Sequence, residues 1–145
     1  MNKNWLNIPV EIYLHNVVIC VDQSVEEAIK WGKANGLKPE KFTQEWIEQF
    51  KEAQDALGFC HTFSNNGKHT FILIWLSNKP VCVNSYGILY HELYHAVDYI
   101  ARNIDGETIL YNEHKNSEPR AYLYQYLANQ ANTFFWGNKM KGKKQ

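Results

Sequence analysis

The order of the secondary-structure elements that the sequence predicts indicates an α+β domain. Three observations support this class: a strand pattern near the N-terminus, a hairpin signal in the middle of the chain, and two long helical patterns toward the C-terminus. A length of 145 residues and a 45% hydrophobic composition favour one domain with a real core. We predict a single domain over residues 1–138, with a small mixed or antiparallel sheet packed on helices, and a basic C-terminal tail over 139–145.

The N-terminal half begins with a strand pattern and continues with helical ones. Apolar and polar residues alternate from residue 10, which predicts a strand over 10–22. Ser24 and Glu27 have the spacing of a capping box, so we predict a helix over 25–35. Aromatic and aliphatic residues then recur at helical spacing over 39–57, which predicts a second helix.

A β-hairpin is predicted around Asn66 and Gly67, because this dipeptide favours the tight turn that joins two antiparallel strands. The flanking strands are residues 59–63 and 70–76. The second of them contains a continuous apolar run, so we expect it to be buried on both faces. The stretch 81–83 has the composition of a further short strand.

Two long helices complete the predicted order. Ser85 is the expected N-cap of a helix that ends before Gly106. Ser117 is the expected cap of the final helix, and Pro119 lies in its first turn, where the missing N–H group does no harm.

Composition excludes several classes of partner and site. Lys+Arg and Asp+Glu both number 15, so the net charge gives no reason to expect nucleic acid or an anionic membrane as a partner. Cys20, Cys60 and Cys82 are odd in number and widely spaced, which argues against a disulfide framework and for a reducing compartment. No signal peptide and no membrane-spanning run is recognisable, so we expect a cytoplasmic protein.

The segment GILYHELYHAVDYI, residues 87–100, contains the motif that points to chemistry. On a helical wheel one face is apolar and contains Leu89, Leu93, Ala96 and Ile100. The opposite face contains Ile88, His91, His95, Asp98 and Arg102. Imidazoles four residues apart lie one above the other, ~5–6 Å apart at Cβ, so both can reach one Zn²⁺ at ~2.0–2.1 Å. The alternative is that both histidines are ordinary surface or packing residues.

Glu92 lies about 100° around the helix from His91, where it flanks the metal and can take a proton from a metal-bound water. A catalytic zinc also needs a third protein ligand and an open position. Glu118, at the start of the final helix, is the favoured third ligand, with Glu113 and His114 as alternatives. As an ordinary residue, Glu118 would be a first-turn carboxylate that stabilises the helix dipole.

Asp98 shares the histidine face but lies a full turn beyond His95. We expect it to support the site from behind, either by holding His95 or by pairing with Arg102, rather than to bind the metal.

These residues resemble the gluzincin metallopeptidases, the thermolysin-like group, in which HExxH on one helix is completed by a glutamate on the next. HELYHAVDYI is similar to their active-site helix, and NSEPRAYL looks like a shortened glutamate helix. Small zinc peptidases encoded by tailed bacteriophages are similar in the same segments. The resemblance covers about residues 70–130 and implies a minimal zincin-like domain. It implies that His91, His95 and Glu118 bind zinc and that Glu92 is the general base.

The resemblance also implies that the strand TFILIWL lies at the sheet edge beside the cleft, where an extended peptide can add to it. One position departs from the family pattern, because Tyr122 stands where members often have an aspartate that orients a zinc histidine. The residue that stabilises the oxyanion is left open among five candidates: Tyr111, His114, Arg120, Tyr122 and Tyr126.

The function that follows is a zinc-dependent metallopeptidase acting on a peptide or protein, in the cytoplasm of a bacterial or phage-infected cell. A second hypothesis is a zinc-stabilised structural or interaction protein, for example a virion or assembly component, that keeps the fold with little turnover. A third is a hydrolase of another amide, such as a cell-wall peptide.

Overall fold

The computed structural model of the chain describes a subset of its residues: 4–11, 15–24, 27, 30, 31, 34, 48, 56–65, 69–105 and 117–140. Within these, the backbone alone is described at 63–65, 69–71, 103–105, 117, 118 and 138–140.

Four strands and two long helices are the elements whose bounds the structure describes; residues 27, 30, 31, 34 and 48 are helical as well. The strands are β1 (Trp5–Val10), β2 (His15–Val21), β3 (Gly58–Asn65) and β4 (His69–Leu76), and the helices are α1 (Val83–Asp105) and α2 (Ser117–Met140). The strands form one sheet in the order β1-β2-β4-β3. β2 and β4 pair in parallel and the outer pairs are antiparallel, so the sheet is mixed. The α+β class predicted from the sequence is confirmed.

The single strand predicted over residues 10–22 is wrong, because this region contains the end of one strand and the whole of another. β1 and β2 form an antiparallel pair in which Val10 lies opposite His15. Residues 12–14, which supplied part of the predicted alternation, lie outside the described residues. Pro9 weakens the sequence signal of β1, yet β1 is an outer strand of the sheet, and a proline without an N–H group is tolerated at such an edge.

The central hairpin is confirmed: β3 and β4 pair antiparallel, with Asn65 opposite His69. β4 lies between β2 and β3, and its side chains from Ile72 to Ile74 are fully buried, as the apolar run predicts. The expectation that this strand lies at the sheet edge is therefore wrong. β3 is the outer strand on this side of the sheet, because β4 also pairs with β2 on its other side.

Both helices contribute to one core against the sheet. The four residues of the apolar face predicted for α1 are fully buried: Leu89, Leu93, Ala96 and Ile100. They pack with side chains that alternate along β2 and β4, among them Val17, Ile19, Ile72 and Ile74. α2 contributes residues at helical spacing: Leu123, Leu127, Ala131 and Phe135. The apolar stripe predicted from the sequence is therefore what positions the histidine face of α1 away from the core.

α1 and α2 run antiparallel, as three contacts along their length show. The Tyr86 ring meets the Trp136 ring edge-on at a centroid distance of 5.1 Å. One turn along, the Tyr90 hydroxyl donates to Asn132 Oδ1 at 2.8 Å. Near the other end of α1, Arg120 NH1 of α2 donates to Asp98 Oδ1 at 3.1 Å.

α2 extends to Met140 and so includes Lys139, the first lysine of the predicted tail, whereas 141–145 lie outside the described residues.

The start of α1 differs from the prediction in two ways. Residues 81–83 form no strand, because α1 begins at Val83. Ser85 is not the N-cap but lies three residues after it: its Oγ accepts the N–H of Cys82 at 3.0 Å and donates to the Cys82 carbonyl at 3.0 Å. Cys82 is thus the N-cap, and Ser85 has the position that Glu or Gln occupies in a capping box.

The opposite face of the sheet is covered at least in part by the segment after β2. The predicted capping box is present, since Glu27 Oε2 accepts from Ser24 N at 3.0 Å and Ser24 Oγ accepts from Glu27 N at 3.3 Å. The Trp31 ring stacks on that of Trp5 with centroids 4.5 Å apart.

Within the helix predicted over 39–57, Glu48 is the only residue that the structure describes as helical. Among the described residues, no helix combines the length and apolar character needed to cross a bilayer.

Candidate active site

Two imidazoles converge on the solvent side of α1. His91 Nε2 and His95 Nε2 are 3.1 Å apart, and the ring planes are inclined at 86°. Two nitrogens at ~2.05 Å from one tetrahedral zinc would be about 3.3 Å apart. At the observed separation, an ion ~2.05 Å from both would subtend an N–metal–N angle of about 98°. The pair therefore has the spacing of a metal chelate, or that of a hydrogen bond between the two imidazoles.

Glu92, between the histidines in sequence, lies beneath the surface with 7% exposure, whereas both histidines are exposed. Burial raises the pKa of its carboxyl above the ordinary value, and the neighbouring His91 and His95 act more weakly in the opposite direction. A carboxyl with this pKa shift, one residue from a potential metal ligand, is suited to accept and return a proton.

A cleft of about 520 Å³ lies between α1 and the edge strand β3, and Glu92 and His95 are both part of its wall. From α1 the wall also includes Asp98, Tyr99 and Arg102. From β3 it includes Gly58, Phe59, Cys60 and Thr62. The cleft therefore joins the motif to the edge of the sheet that β3 forms.

Gly58 makes the close approach of α1 to β3 feasible. A Cβ at this position would lie 2.9 Å from Ile88 Cγ2 and 3.1 Å from Leu76 Cδ2, which is closer than carbon atoms pack. The contact of Gly58 with α1 depends on the register of β3 against β4, in which Gly58 lies opposite Leu76.

Cys60 was not among the site residues predicted from the sequence, yet its side chain faces the cleft. Burial, and secondarily the nearby Glu92 carboxylate, raise the pKa of Cys60 to about 12. The thiol is therefore protonated at neutral pH and is not a nucleophile here. The only sequence signal that could have placed Cys60 in the site is its spacing of two residues from Thr62 on the strand predicted over 59–63.

Asp98 binds two guanidinium groups rather than a histidine. Arg102 NH2 lies 2.8 Å from Asp98 Oδ2, which is the pairing considered from the sequence, and Arg120 NH1 lies 3.1 Å from Asp98 Oδ1. The second contact joins α1 to α2. Because the carboxylate is shared by two arginines, Asp98 supports the helix pair and is not arranged as a metal ligand. The same contact engages Arg120, one of the oxyanion candidates.

Tyr122 and Tyr126, two further oxyanion candidates, lie elsewhere. Both border a separate groove of about 720 Å³ between β1 and α2, where Pro9 and Leu123 also contribute. The Tyr126 hydroxyl donates to the Pro9 carbonyl at 3.0 Å. Tyr122 is 67% exposed and lies on the outer side of α2. The next residue, Leu123, is buried in the core, and consecutive side chains on a helix point about 100° apart. The structure therefore does not bring Tyr122 to the cleft.

The favoured third ligand, Glu118, lies in the first turn of α2, but its side chain is outside the described residues. Glu113, His114 and Tyr111 lie outside them altogether. Within the part of the chain that the structure describes, no three His, Cys, Asp or Glu side chains converge in a group that could hold a metal ion. The described site thus consists of two imidazoles, one buried carboxyl and the cleft.

Comparison with models of protein families, with curated proteins and with solved structures gives no match for this chain.

Proposed function

We propose that the protein is a zinc-dependent metallopeptidase that hydrolyses peptide bonds in the cleft between α1 and β3. The observation that carries this proposal is the 3.1 Å separation of the His91 and His95 Nε2 atoms, beside the buried carboxyl of Glu92. Two nitrogen ligands and an acid–base carboxyl within five consecutive helical residues are three of the elements that Glu-assisted hydrolysis requires, and a third protein ligand is another. The zincin-like fold and the third ligand, Glu118 or else Glu113 or His114, belong to the same proposal.

Each side chain has a distinct role in this mechanism. Zinc, when bound, supplies a Lewis acid that polarises the peptide carbonyl and lowers the pKa of a bound water toward ~7. His91 and His95 would hold the ion through their Nε2 atoms, which are 3.1 Å apart. Glu92 accepts the proton of the attacking water and delivers it to the leaving amine.

β3 supports a peptide rather than another amide as the substrate. Among the described strands, β3 pairs with β4 alone, so its other edge is the side to which an extended chain would add. Main-chain hydrogen bonds to such an edge bind a peptide through its backbone. The scissile bond would then lie along the cleft that Glu92 and His95 border.

The test is the substitution Glu92→Gln, assayed for zinc content and for cleavage of an unfolded protein substrate. We expect one zinc per chain, as in the parent, and a loss of at least ~10²-fold in turnover, the usual contribution of a general base. His91→Ala should lose the zinc as well as the activity. Glu11→Gln, which removes an exposed carboxyl outside the cleft, is the matched control and should change neither. Parental turnover in Glu92→Gln would show that Glu92 is not the base.

A second function, that of a zinc-stabilised structural or assembly protein, is favoured by a different observation. Arg120 is engaged by Asp98 and Tyr122 lies outside the cleft, so neither of these oxyanion candidates is arranged for catalysis. One zinc per chain, unfolding on chelation and no cleavage by the parent protein would support this function over the first.

A further inference from the structure

We propose that Arg102 binds a carboxylate of the substrate about three residues from the scissile bond, so that the cleft selects peptides with an acidic group at that position. This inference rests on the proposed peptidase function and adds the substrate class.

The position of Arg102 along the cleft defines the distance. Arg102 is seven residues after His95 on α1, and both border the cleft. Seven residues span about 10 Å along a helix axis at 1.5 Å each. An extended peptide advances about 3.3 Å per residue, so three residues cover the same length. A substrate chain that lies along β3 with its scissile bond at the histidines would therefore bring its third residue level with Arg102.

The charges at this end of the cleft favour an anion. Asp98 is one carboxylate in contact with two guanidinium groups, so the cluster of Asp98, Arg102 and Arg120 has an excess of one positive charge. Arg120 reaches Asp98 from α2 and has a side-chain exposure of 28%, whereas that of Arg102 is 58%. Arg102 is therefore the member of the cluster that an incoming group can contact.

Exchange of partners by Arg102 requires little free energy. An ion pair four residues apart on a helix contributes little to stability when its arginine is exposed, as Arg102 is at 58%, because water also solvates the guanidinium. If Arg102 turns to a substrate carboxylate, Asp98 keeps its contact with Arg120. A guanidinium can bind the new carboxylate through two parallel hydrogen bonds. If Arg102 serves only the helix, by contrast, its replacement should leave substrate preference unchanged.

The experiment compares cleavage of two sets of peptides by the zinc-loaded protein. In the first set, one Glu is moved along an otherwise neutral peptide, and each cleaved bond is identified by mass spectrometry. In the second, the Glu is replaced by Gln, and the C-terminus is either a free acid or an amide. We expect kcat/KM to be about tenfold or more higher when a carboxylate lies three residues from the cleaved bond, always on the same side of it. The second set distinguishes a side-chain carboxylate from a terminal one.

Arg102→Gln should abolish this preference, so that the variant cleaves acidic and neutral peptides with kcat/KM values within about twofold of each other. Arg102→Lys should restore part of it. Lys30→Gln, which removes an exposed cation from the segment after β2, is the matched control and should retain the full preference. Equal cleavage of acidic and neutral peptides by the parent, or an unchanged preference in Arg102→Gln, would overturn the inference.

Binding of labelled peptides to zinc-loaded Glu92→Gln separates this inference from the peptidase proposal, because it needs no turnover. Preferential binding of acidic peptides that Arg102→Gln removes would support the role of Arg102 even if the parent cleaves nothing, in which case the peptidase proposal alone fails. Equal binding of acidic and neutral peptides, or no binding of either, overturns the inference.

Discussion

Substitution of Gly58 by Ala tests whether the close approach of α1 to β3 positions the candidate site. The added Cβ would lie 2.9 Å from Ile88 Cγ2, 3.1 Å from Leu76 Cδ2 and 3.3 Å from the carbonyl oxygen of Trp75. Carbon atoms in van der Waals contact are ~3.5–4.0 Å apart, so both Ile88 with α1 and the Leu76 side chain must move by roughly half an ångström. Because Ile88 is one turn before Glu92, a shift of α1 also displaces the Glu92 carboxyl from β3.

The expected loss of stability is that of an overpacked core, about 1–3 kcal/mol. A chain of 145 residues has an unfolding entropy of about 0.3 kcal/mol/K, so Tm should fall by roughly 3–10 °C. Differential scanning calorimetry of the metal-free protein measures this change. If the protein is a peptidase, kcat should fall as well, because the distance between β3 and Glu92 increases.

The control is a double-mutant cycle with Ile88→Ala, which removes the atom that the new Cβ meets first. Gly58→Ala should destabilise the Ile88→Ala background less than it destabilises the parent, with a coupling of about 1 kcal/mol or more. A Gly58→Ala protein with the parental Tm, or strictly additive effects in the cycle, would show that α1 does not approach β3 as closely as the structure describes.

Two further predictions concern titratable groups. Burial raises the pKa of the Glu92 carboxyl above its ordinary value of 4.5. The folded chain therefore binds the carboxyl proton more tightly than the unfolded chain does. The stability that this proton contributes to the folded state is lost as the pH rises through the raised pKa. Glu92→Gln should therefore raise the Tm of the metal-free protein at pH 7 but not near pH 4; an equal difference at both pH values would contradict this assignment. Among the thiols, Cys82 is exposed and its pKa is lowered chiefly by the Ser85 hydroxyl, whereas burial raises the pKa values of Cys60 and Cys20. Iodoacetamide should label Cys82 first in the native protein, and more slowly in Ser85→Ala; alkylation of Cys60 at the rate of Cys82 would refute the burial argument.

Local patterns predicted the parts of the fold in which the contacts are short in sequence. The apolar residues of α1 recur every three or four positions, so the same periodicity that predicts the helix also predicts which face is buried. The reciprocal hydrogen bonds of Ser24 and Glu27 likewise follow from a spacing of three residues. The strand β1 was missed because Pro9 weakens its pattern, and only the pairing with β2 shows that Pro9 lies on an edge strand.

The sequence by itself determined that His91 and His95 point the same way with Glu92 beside them, because residues four apart on a helix are neighbours whatever surrounds them. Only the tertiary structure decided which strand borders the cleft, that Cys60 and Arg102 line it, and that Tyr122 does not. Those relations depend on strand order and on the packing of α1 against the sheet. Packing of this kind is a property of the whole core, and no short stretch of sequence contains it.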